Sequence, residues 1–288
     1  MGLAGTKVTV AVTAPQLDSP RTVERTVLIE SDPSIIEIPD ISVDDVRGDT
    51  WDVIPATFDF SNDRLSLTFL SSGSFTDVGS SGFNGYLIQF KAPAKTSVAR
   101  FELENNTSAI TIDEITGIRT NQLAINVSGL AHRIDTGLSL LLGFDMLGNK
   151  TAETLRGGDG DDDINGAAGA DSLIGAGGAD QLKGGDGKDR FIYQALSDSA
   201  QTARDTIMDF NGMAGDRLDL SALDANSKRS GNQEFTFVGN KAFSRTPGQL
   251  RFAGESGILS ADVNGDGQSD FSIAIRDLAT VRSQWLIL

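Results

Sequence analysis

Aspartates and glycines at a fixed spacing are the residues of this sequence best suited to hold a metal ion. Four consecutive nonapeptides carry Gly at positions one and four, Asp at position six and a large apolar residue at position eight. They are residues 157–165 (GGDGDDDIN), 166–174 (GAAGADSLI), 175–183 (GAGGADQLK) and 184–192 (GGDGKDRFI). Calcium takes about six to eight hard oxygen ligands, which carboxylates and backbone carbonyls can supply. The predicted calcium ligands here are Gly157, Asp159, Asp162, Gly166, Asp171, Gly175, Asp180, Gly184, Asp186 and Asp189.

The nine-residue period predicts a right-handed parallel β-roll. Six residues of each unit make a turn and three make a short strand, so two units complete one coil. Glycine permits positive φ, which lets the carbonyls of a turn point at a common centre. Turns two units apart then stack on one side with an ion between them, while the apolar residues face inward. The apolar residues at position eight are Ile164, Leu173, Leu182 and Phe191.

Such a core is thin, and clustered carboxylates repel one another without a cation. We therefore expect the array to be disordered without calcium and to fold on binding it. Ala167 and Ala176 replace Gly at position two, where they are expected to strain the turns and weaken the adjacent sites. Residues 148–156 (GNKTAETLR) resemble a degenerate leading unit, with Glu153 in the place of Asp and Leu155 facing inward. This unit is expected to cap the roll or to supply half a site.

A second group of oxygen-bearing side chains lies near the end of the chain. Asp262, Asn264, Asp266 and Asp270 form the pattern D-x-N-x-D-G-x-x-D. Alternating oxygen side chains of a tight loop can converge on calcium, although Ile273 stands where an EF-hand loop has Glu. The same residues can instead hydrogen-bond their own backbone as Asx turns. Both interpretations stay open from the sequence.

The elements expected to carry these residues are all β-strands. Residues 1–145 alternate apolar with polar residues in many short segments, which predicts an N-terminal β-sandwich, jelly-roll-like, as a binding domain. The segments are residues 7–12, 26–30, 34–38, 56–60, 64–69, 86–90, 98–103, 109–112 and 123–127. The β-roll is expected over residues 146–192, and a β cap with a secretion signal region over residues 193–288.

Composition excludes several classes of function. The chain has 40 acidic and 24 basic residues, a net charge of −16, which argues against binding nucleic acid or anionic lipid. The absence of cysteine excludes disulfides, thiolate zinc sites and thiol nucleophiles. No apolar run is long enough to span a membrane, and the N-terminal segment lacks the features of a cleaved secretory signal.

Residues 189–225 and 262–275 (DVNGDGQSDFSIAI) show a resemblance to a known family. Following the G-G-x-G-x-D repeats, which are typical of RTX proteins, the first of these segments reads DRFIYQALSDSAQTARDTIMDFNGMAGDRLDLSALDA. Together they resemble the C-terminal region of serralysin-type secreted proteases. The resemblance implies a β-roll finished by an antiparallel β cap, and export by type I secretion machinery that reads an uncleaved C-terminal signal. The tail, residues 285–288 (WLIL), resembles the apolar end of such signals, with Gln284 where many have an acidic residue.

The zinc protease activity of that family does not transfer, because its H-E-x-x-H motif is absent. His132 is the only histidine, and no G-x-S-x-G elbow accompanies it. The sequence predicts a non-catalytic, extracellular or cell-surface calcium-binding protein whose first half binds a glycan, a surface protein or matrix, as in adhesion. Two alternatives stay open: a polysaccharide-modifying enzyme with an RTX tail, and a structural subunit of a surface layer or appendage.

Overall fold

The chain divides into two compact units, residues 1–142 and 143–288, in a computed structural model. The structure describes residues 137–288 and, before them, the backbone of eleven strands. Side chains are described for residues 148–288 and for a few positions in two earlier strands. Each unit is built from strands, and the described residues contain no helix longer than four residues. This confirms the all-β prediction.

The first unit contains antiparallel strands. They are β1 (Lys7–Ala14), β2 (Arg21–Leu28), β3 (Ile36–Ile38), β4 (Ala56–Ser61), β5 (Arg64–Phe69), β6 (Gly73–Ser74), β7 (Gly85–Lys91), β8 (Thr96–Asn106), β9 (Ile115–Thr116), β10 (Gln122–Asn126) and β11 (Ala131–His132), followed by β12 (Gly137–Leu147), which crosses the unit boundary. One sheet has the order β2-β1-β7-β10-β9, and β3, β4, β5 and the start of β12 pair antiparallel in succession.

Period-two alternation places one face of β5 inward. Its Leu65 and Leu67 are buried, in a strand that reads RLSLTF. Eight of the nine segments predicted from alternation coincide with or overlap a strand. The ninth, residues 109–112, lies outside the described residues. The side chains that would join the two sheets into a sandwich also lie outside them.

The second unit is built on very short strands. They are β13 (Thr154–Arg156), β14 (Asp163–Asn165), β15 (Ala168–Gly169), β16 (Ser172–Ile174), β17 (Gln181–Lys183), β18 (Asp186–Gly187), β19 (Arg190–Ile192), β20 (Thr206–Ile207), β21 (Arg217–Asp219), β22 (Thr236–Phe237), β23 (Gln249–Ala253), β24 (Ile258–Asp262), β25 (Phe271–Ile275) and β26 (Leu286–Ile287). Two 3-10 helices, Leu196–Ser199 and Ser283–Trp285, complete it. Neither is long and apolar enough to cross a membrane.

Two parallel sheets face each other in this unit and form the predicted β-roll. One sheet runs from the end of β12 through β14, β17 and β20 to β25, and the other through β13, β16, β19, β21 and β26. In the repeats the register advances by two nonapeptides at each step, as in the pairing of Ile164 with Leu182 and of Leu173 with Phe191. These four apolar side chains are buried between the sheets.

Both sheets continue after the last repeat. Strand β20 pairs in parallel with β17, and β21 pairs in parallel with β19. Ile207 and Leu218 extend the buried rows as fully buried residues. The antiparallel strands β23, β24 and β25 form the cap expected from the resemblance, and β25 joins it to the roll by pairing in parallel with β20.

Candidate metal centre

Buried aspartates form a first column along one side of the roll, at Asp162, Asp180 and Asp205. Each Oδ1 accepts a hydrogen bond from the backbone N–H one coil earlier. The Phe144 N–H donates to Asp162 at 2.6 Å, the Asp162 N–H to Asp180 at 2.8 Å, and the Asp180 N–H to Asp205 at 3.1 Å. One oxygen of each carboxylate is therefore used to stack successive coils.

A second column follows the same rule on the other side, at Asp171, Asp189 and Asp216. The Glu153 N–H donates to Asp171 Oδ1 at 2.8 Å and the Asp171 N–H to Asp189 Oδ1 at 2.9 Å. The Asp189 N–H then donates to Asp216 Oδ1 at 3.0 Å. Both columns begin within the repeats, at Asp162 and Asp171, and end beyond them, at Asp205 and Asp216.

The second oxygen, Oδ2, has no hydrogen-bond partner in four of these carboxylates. They are Asp171, Asp180, Asp189 and Asp205. All four residues are at most 1% exposed. A buried polar group without a partner costs about 1–3 kcal/mol, and more when it is charged. The columns thus fit a hard cation such as calcium, which prefers carboxylate and carbonyl oxygens.

The rest of such an ion's ligands would come from the backbone. Among the described residues, no three acidic or histidine side chains gather closely enough to hold a metal by themselves. Turns two units apart stack closely enough for their backbones to touch, since a Cβ added to Gly178 would lie 2.6 Å from the Gly160 carbonyl oxygen. The arrangement suits a cation that accepts many carbonyl oxygens.

The glycines at position one are needed because they leave room for the carboxylates, not because they adopt positive φ. A Cβ on Gly166 would lie 2.6 Å from both Asp171 Oδ2 and the Gly184 carbonyl oxygen. A Cβ on Gly184 would lie 2.5 Å from Asp189 Oδ2, and a Cβ on Gly157 or Gly175 would lie closer still to Asp162 or Asp180. None of the four has φ in the left-handed region. The expectation that glycine serves positive φ is wrong for position one.

Positive φ occurs instead at positions two and four. Gly169, Gly178 and Gly187, all at position four, have φ of 135°, 101° and 154°. At position two, Ala167 and Ala176 have φ of 70° and 77°, a region that costs an L-residue about 1–2 kcal/mol. This confirms that alanine strains these turns. Weaker calcium binding beside them stays a prediction.

The leading unit forms the first turn of the roll. Glu153 accepts hydrogen bonds from the Asn149 N–H, at 2.5 Å, and from the Asn149 side-chain amide. Gly148 lies against the Glu153 carboxylate as the position-one glycines lie against theirs. Leu155 is half-buried between two exposed neighbours. Glu153 thus takes the position of the repeat aspartate and closes the turn through Asn149.

Two predicted ligands lie at the surface of the turns. Asp159 and Asp186, both at position three, are exposed. Asp186 lines an open depression of about 510 Å³ together with Asp209 and Asp216. The two carboxylate oxygens of Asp209 accept hydrogen bonds from the Gly184 and Gly185 N–H groups, each at 2.9 Å. Position three therefore does not contribute to the buried columns.

Sequence reasoning missed the residues that continue the columns past the repeats. Asp205 and Asp216 follow their partners by 25 and 27 residues, not 18, and neither has a glycine at position one or position four before it. A signal was present. Asp205-Thr206-Ile207 and Asp216-Arg217-Leu218 repeat the spacing of Asp and apolar residue seen at positions six and eight.

The loop between β24 and β25 is bonded to itself. Asp262 accepts from the Gly265 N–H at 2.6 Å and from the Gly267 N–H at 2.9 Å. Asp270 accepts from the Val263 N–H and the Asn264 side-chain amide, both at 2.8 Å. In addition, the side-chain oxygens of Asn264 and Asp266 each accept from the N–H two residues later, as in Asx turns. Calcium binding by this loop stays a prediction.

Burial raises the pKa of five carboxyls in the two columns, those of Asp171, Asp180, Asp189, Asp205 and Asp216. Burial and the neighbouring charges of Asp205 and Asp162 raise the pKa of Asp180, and burial raises that of Asp205. Burial raises the pKa of Asp189 to about 6, with Asp216, Asp171 and Asp209 adding repulsion. The pKa of the fully buried Tyr193 lies well above its usual range because of burial and the charges of Asp205 and Asp180. Metal-free columns thus resist ionisation.

We expect the metal-free protein to become less stable as pH rises. A carboxyl whose folded-state pKa lies above its unfolded value of 3.8 stabilises the fold below that value and loses this contribution as pH passes the folded pKa. For Asp189 the loss centres on pH about 6, and for Asp180 and Asp205 it lies higher. Thermal melts of chelated protein should show a midpoint that falls from about pH 5 upward, until the folded state is lost near neutral pH. A midpoint that rises over this range contradicts the burial of these carboxyls.

The repeats and the cap lie within a region that matches a known family model. Residues 148–287 match the family model described as Peptidase M10 serralysin C terminal. A solved structure, the AlgE6R3 subunit of a mannuronan C5-epimerase from Azotobacter vinelandii, is 24% identical with a TM-score of 0.36. The match covers 50% of this chain and 76% of that one. A search of curated proteins finds no match.

Proposed function

We propose, on the premise that residues 148–287 match the serralysin C-terminal family model, that the protein is a secreted, RTX-type calcium-binding protein that folds after export. The observation that supports this proposal is the set of four buried carboxylate oxygens without partners in the two columns. The residues that would hold calcium are the repeat aspartates and the glycine carbonyls around them, joined by Asp205 and Asp216. Bound calcium would supply the positive charge that the buried carboxylates lack.

The columns make folding depend on calcium concentration. Without the ion, Asp162, Asp180 and Asp205 are buried in succession along one side, and their repulsion opposes the folded state. Calcium sites of extracellular modules have a Kd of about 10⁻⁴–10⁻³ M, which is far above the free calcium concentration of the cytosol. Ligand that binds only the folded state stabilises it by mass action. The chain would remain unfolded for type I secretion and fold outside the cell.

Calcium titration of the full chain tests this proposal. After chelator treatment near neutral pH, far-UV circular dichroism should show a cooperative gain of β signal as calcium approaches about 10⁻³ M. Magnesium should not reproduce this gain, because Mg²⁺ retains its bound water molecules and requires octahedral coordination. An unchanged spectrum, together with no calcium retained in equilibrium dialysis, would contradict calcium-dependent folding.

For the first half we propose a non-catalytic role in binding an extracellular glycan, a surface protein or matrix. Its β-strands and the Gly- and Ser-rich residues 71–85 support this, because loops on rigid β scaffolds often carry binding function. His132 lies in β11, paired with Gly73 of β6. Turnover of a polysaccharide by the purified protein would favour the enzyme alternative instead. Calcium-dependent assembly seen by light scattering would favour a surface-layer subunit.

A further inference from the structure

A groove in the cap has the chemistry of a carbohydrate site. Its first part is a depression of about 580 Å³ between β22, β23 and the segment after β25. This volume lies within the range of about 300–1,000 Å³ usual for small-ligand pockets. The apolar floor is formed by Phe237, Phe252 and Val281, of which Phe237 is half-buried and the other two are buried. The floor therefore offers a partly accessible aromatic ring.

Polar side chains without internal partners surround this floor. Asn240, Glu255 and Thr280 are exposed, and none of them makes a hydrogen bond or ion pair with another described residue. A sugar ring presents C–H groups on its face and hydroxyls at its edge. The apolar floor could pack against the C–H groups, and the surrounding amide, carboxylate and hydroxyl could hydrogen-bond the sugar hydroxyls. The side chains are thus free to bond such a ligand.

The groove continues beyond this first depression. A second depression of about 480 Å³ adjoins the first and shares Gly254, Glu255 and Ala279 with it. Gly254 is required where they meet, because its Cα lies against the Ala279 carbonyl and leaves no room for a Cβ. In the second depression, Asp277 has φ of 55°, in the left-handed region that Asp and Asn adopt more readily than most residues.

We propose that this groove of the cap binds an uncharged oligosaccharide. The charge of the groove argues for a neutral ligand, because Glu255 and Asp277 outnumber Arg276 there and the whole chain carries −16. The site lies wholly in the second unit. It goes beyond the function proposed above, which places recognition of glycans in the first half of the chain and needs no site in the cap.

The test is saturation-transfer NMR on the calcium-loaded full chain with cellohexaose, xylohexaose, laminarihexaose and chitohexaose. At least one of these is expected to bind with a Kd of about 1 mM or tighter. Ala279→Trp should abolish binding by filling the groove at its centre, and Glu255→Gln should weaken it about tenfold through loss of a charged acceptor. Glu234→Gln, at an exposed glutamate outside the groove, is the matched control and should bind as the wild type does.

Two outcomes would overturn the inference. One is that no sugar of the panel binds the wild type. The other is that a sugar binds equally well to the Ala279→Trp and Glu255→Gln variants, which would place the site elsewhere and leave the function proposed for the first half intact. Both variants should keep the wild-type calcium midpoint in circular dichroism, which separates loss of binding from loss of folding.

Discussion

The Asp180→Asn variant is expected to melt below the wild type in saturating calcium and above it in chelator. Asn retains an Oδ1 that can accept the Asp162 N–H, so the hydrogen bond that stacks the coils survives. The substitution replaces Oδ2, which is buried and without a partner, by an uncharged amide. In saturating calcium, the variant lacks one charged ligand for the ion and therefore melts at a lower temperature. Without calcium, the wild type must take up a proton at Asp180 or bury its charge beside Asp205 and Asp162 in order to fold, and the variant does neither.

The size of the calcium-dependent effect follows from linkage. An ion that binds only the folded state stabilises it by about 2.7 kcal/mol at a concentration 100 times its Kd, and losing one such site removes about that amount. Two sets of thermal melts would measure the change in melting temperature in each direction. One set is run in about 10 mM calcium and the other in chelator near pH 5, where protonation favours the metal-free fold. Equilibrium dialysis should show at least one calcium fewer per chain.

Asp277→Asn is the matched control, since Asp277 is exposed and Asn tolerates its φ of 55°. It makes the same change of charge outside the columns and should leave both melts and the calcium stoichiometry at wild-type values. If Asp180→Asn keeps the wild-type stoichiometry, or shifts both melts in one direction, the column is not a calcium site.

Trp285→Ala is expected to destabilise the second unit by about 3–5 kcal/mol, the usual cost of removing a buried large aromatic. Trp285 is 4% exposed and packs edge-on against Phe210, with ring centroids 6.1 Å apart. Its ring also covers the Cα of Gly212, where no Cβ would fit. It fixes the following strand, in which Leu286 pairs with Leu218 as a further step of the roll.

Melting in saturating calcium tests this expectation. For a unit of this size, the predicted cost corresponds to a lower midpoint by about 10 °C. Trp285→Phe should cost less, because it retains a ring and removes a buried indole N–H that has no partner. Met213→Ala, at an apolar side chain that is 70% exposed, should have little effect. A Trp285→Ala variant as stable as Met213→Ala would show that the segment after residue 282 does not hold the roll together.

The same packing bears on the proposed export signal. Residues 285–288 resemble the apolar end of a type I signal, and in the folded unit Trp285 and Leu286 are buried. The Leu220 N–H donates to the Ile287 carbonyl at 2.8 Å, which ties the segment into the sheet. A signal in this position would be accessible before folding and covered after it. This is consistent with a chain that is exported unfolded.

The sequence by itself determined the repeat and what the repeat implies. Glycine, aspartate and apolar residues at a period of nine fix the number of units per coil, the inward row of Ile164, Leu173, Leu182 and Phe191, and the side on which each aspartate lies. This succeeds because each step depends on residues close in sequence and repeats without change. The strands of the first half were predictable for the same reason, since alternation is a local property.

Only the tertiary structure decided where the columns end and why the position-one glycines are needed. Asp205 and Asp216 reach the columns across loops of irregular length, so no fixed period marks them. Gly166 is required because the Asp171 carboxylate and a carbonyl of the next coil lie against its Cα, a contact between turns that are separated by two units. The groove in the cap likewise joins residues of three separate segments. Contacts of this kind depend on how the chain returns to itself, which local patterns do not specify.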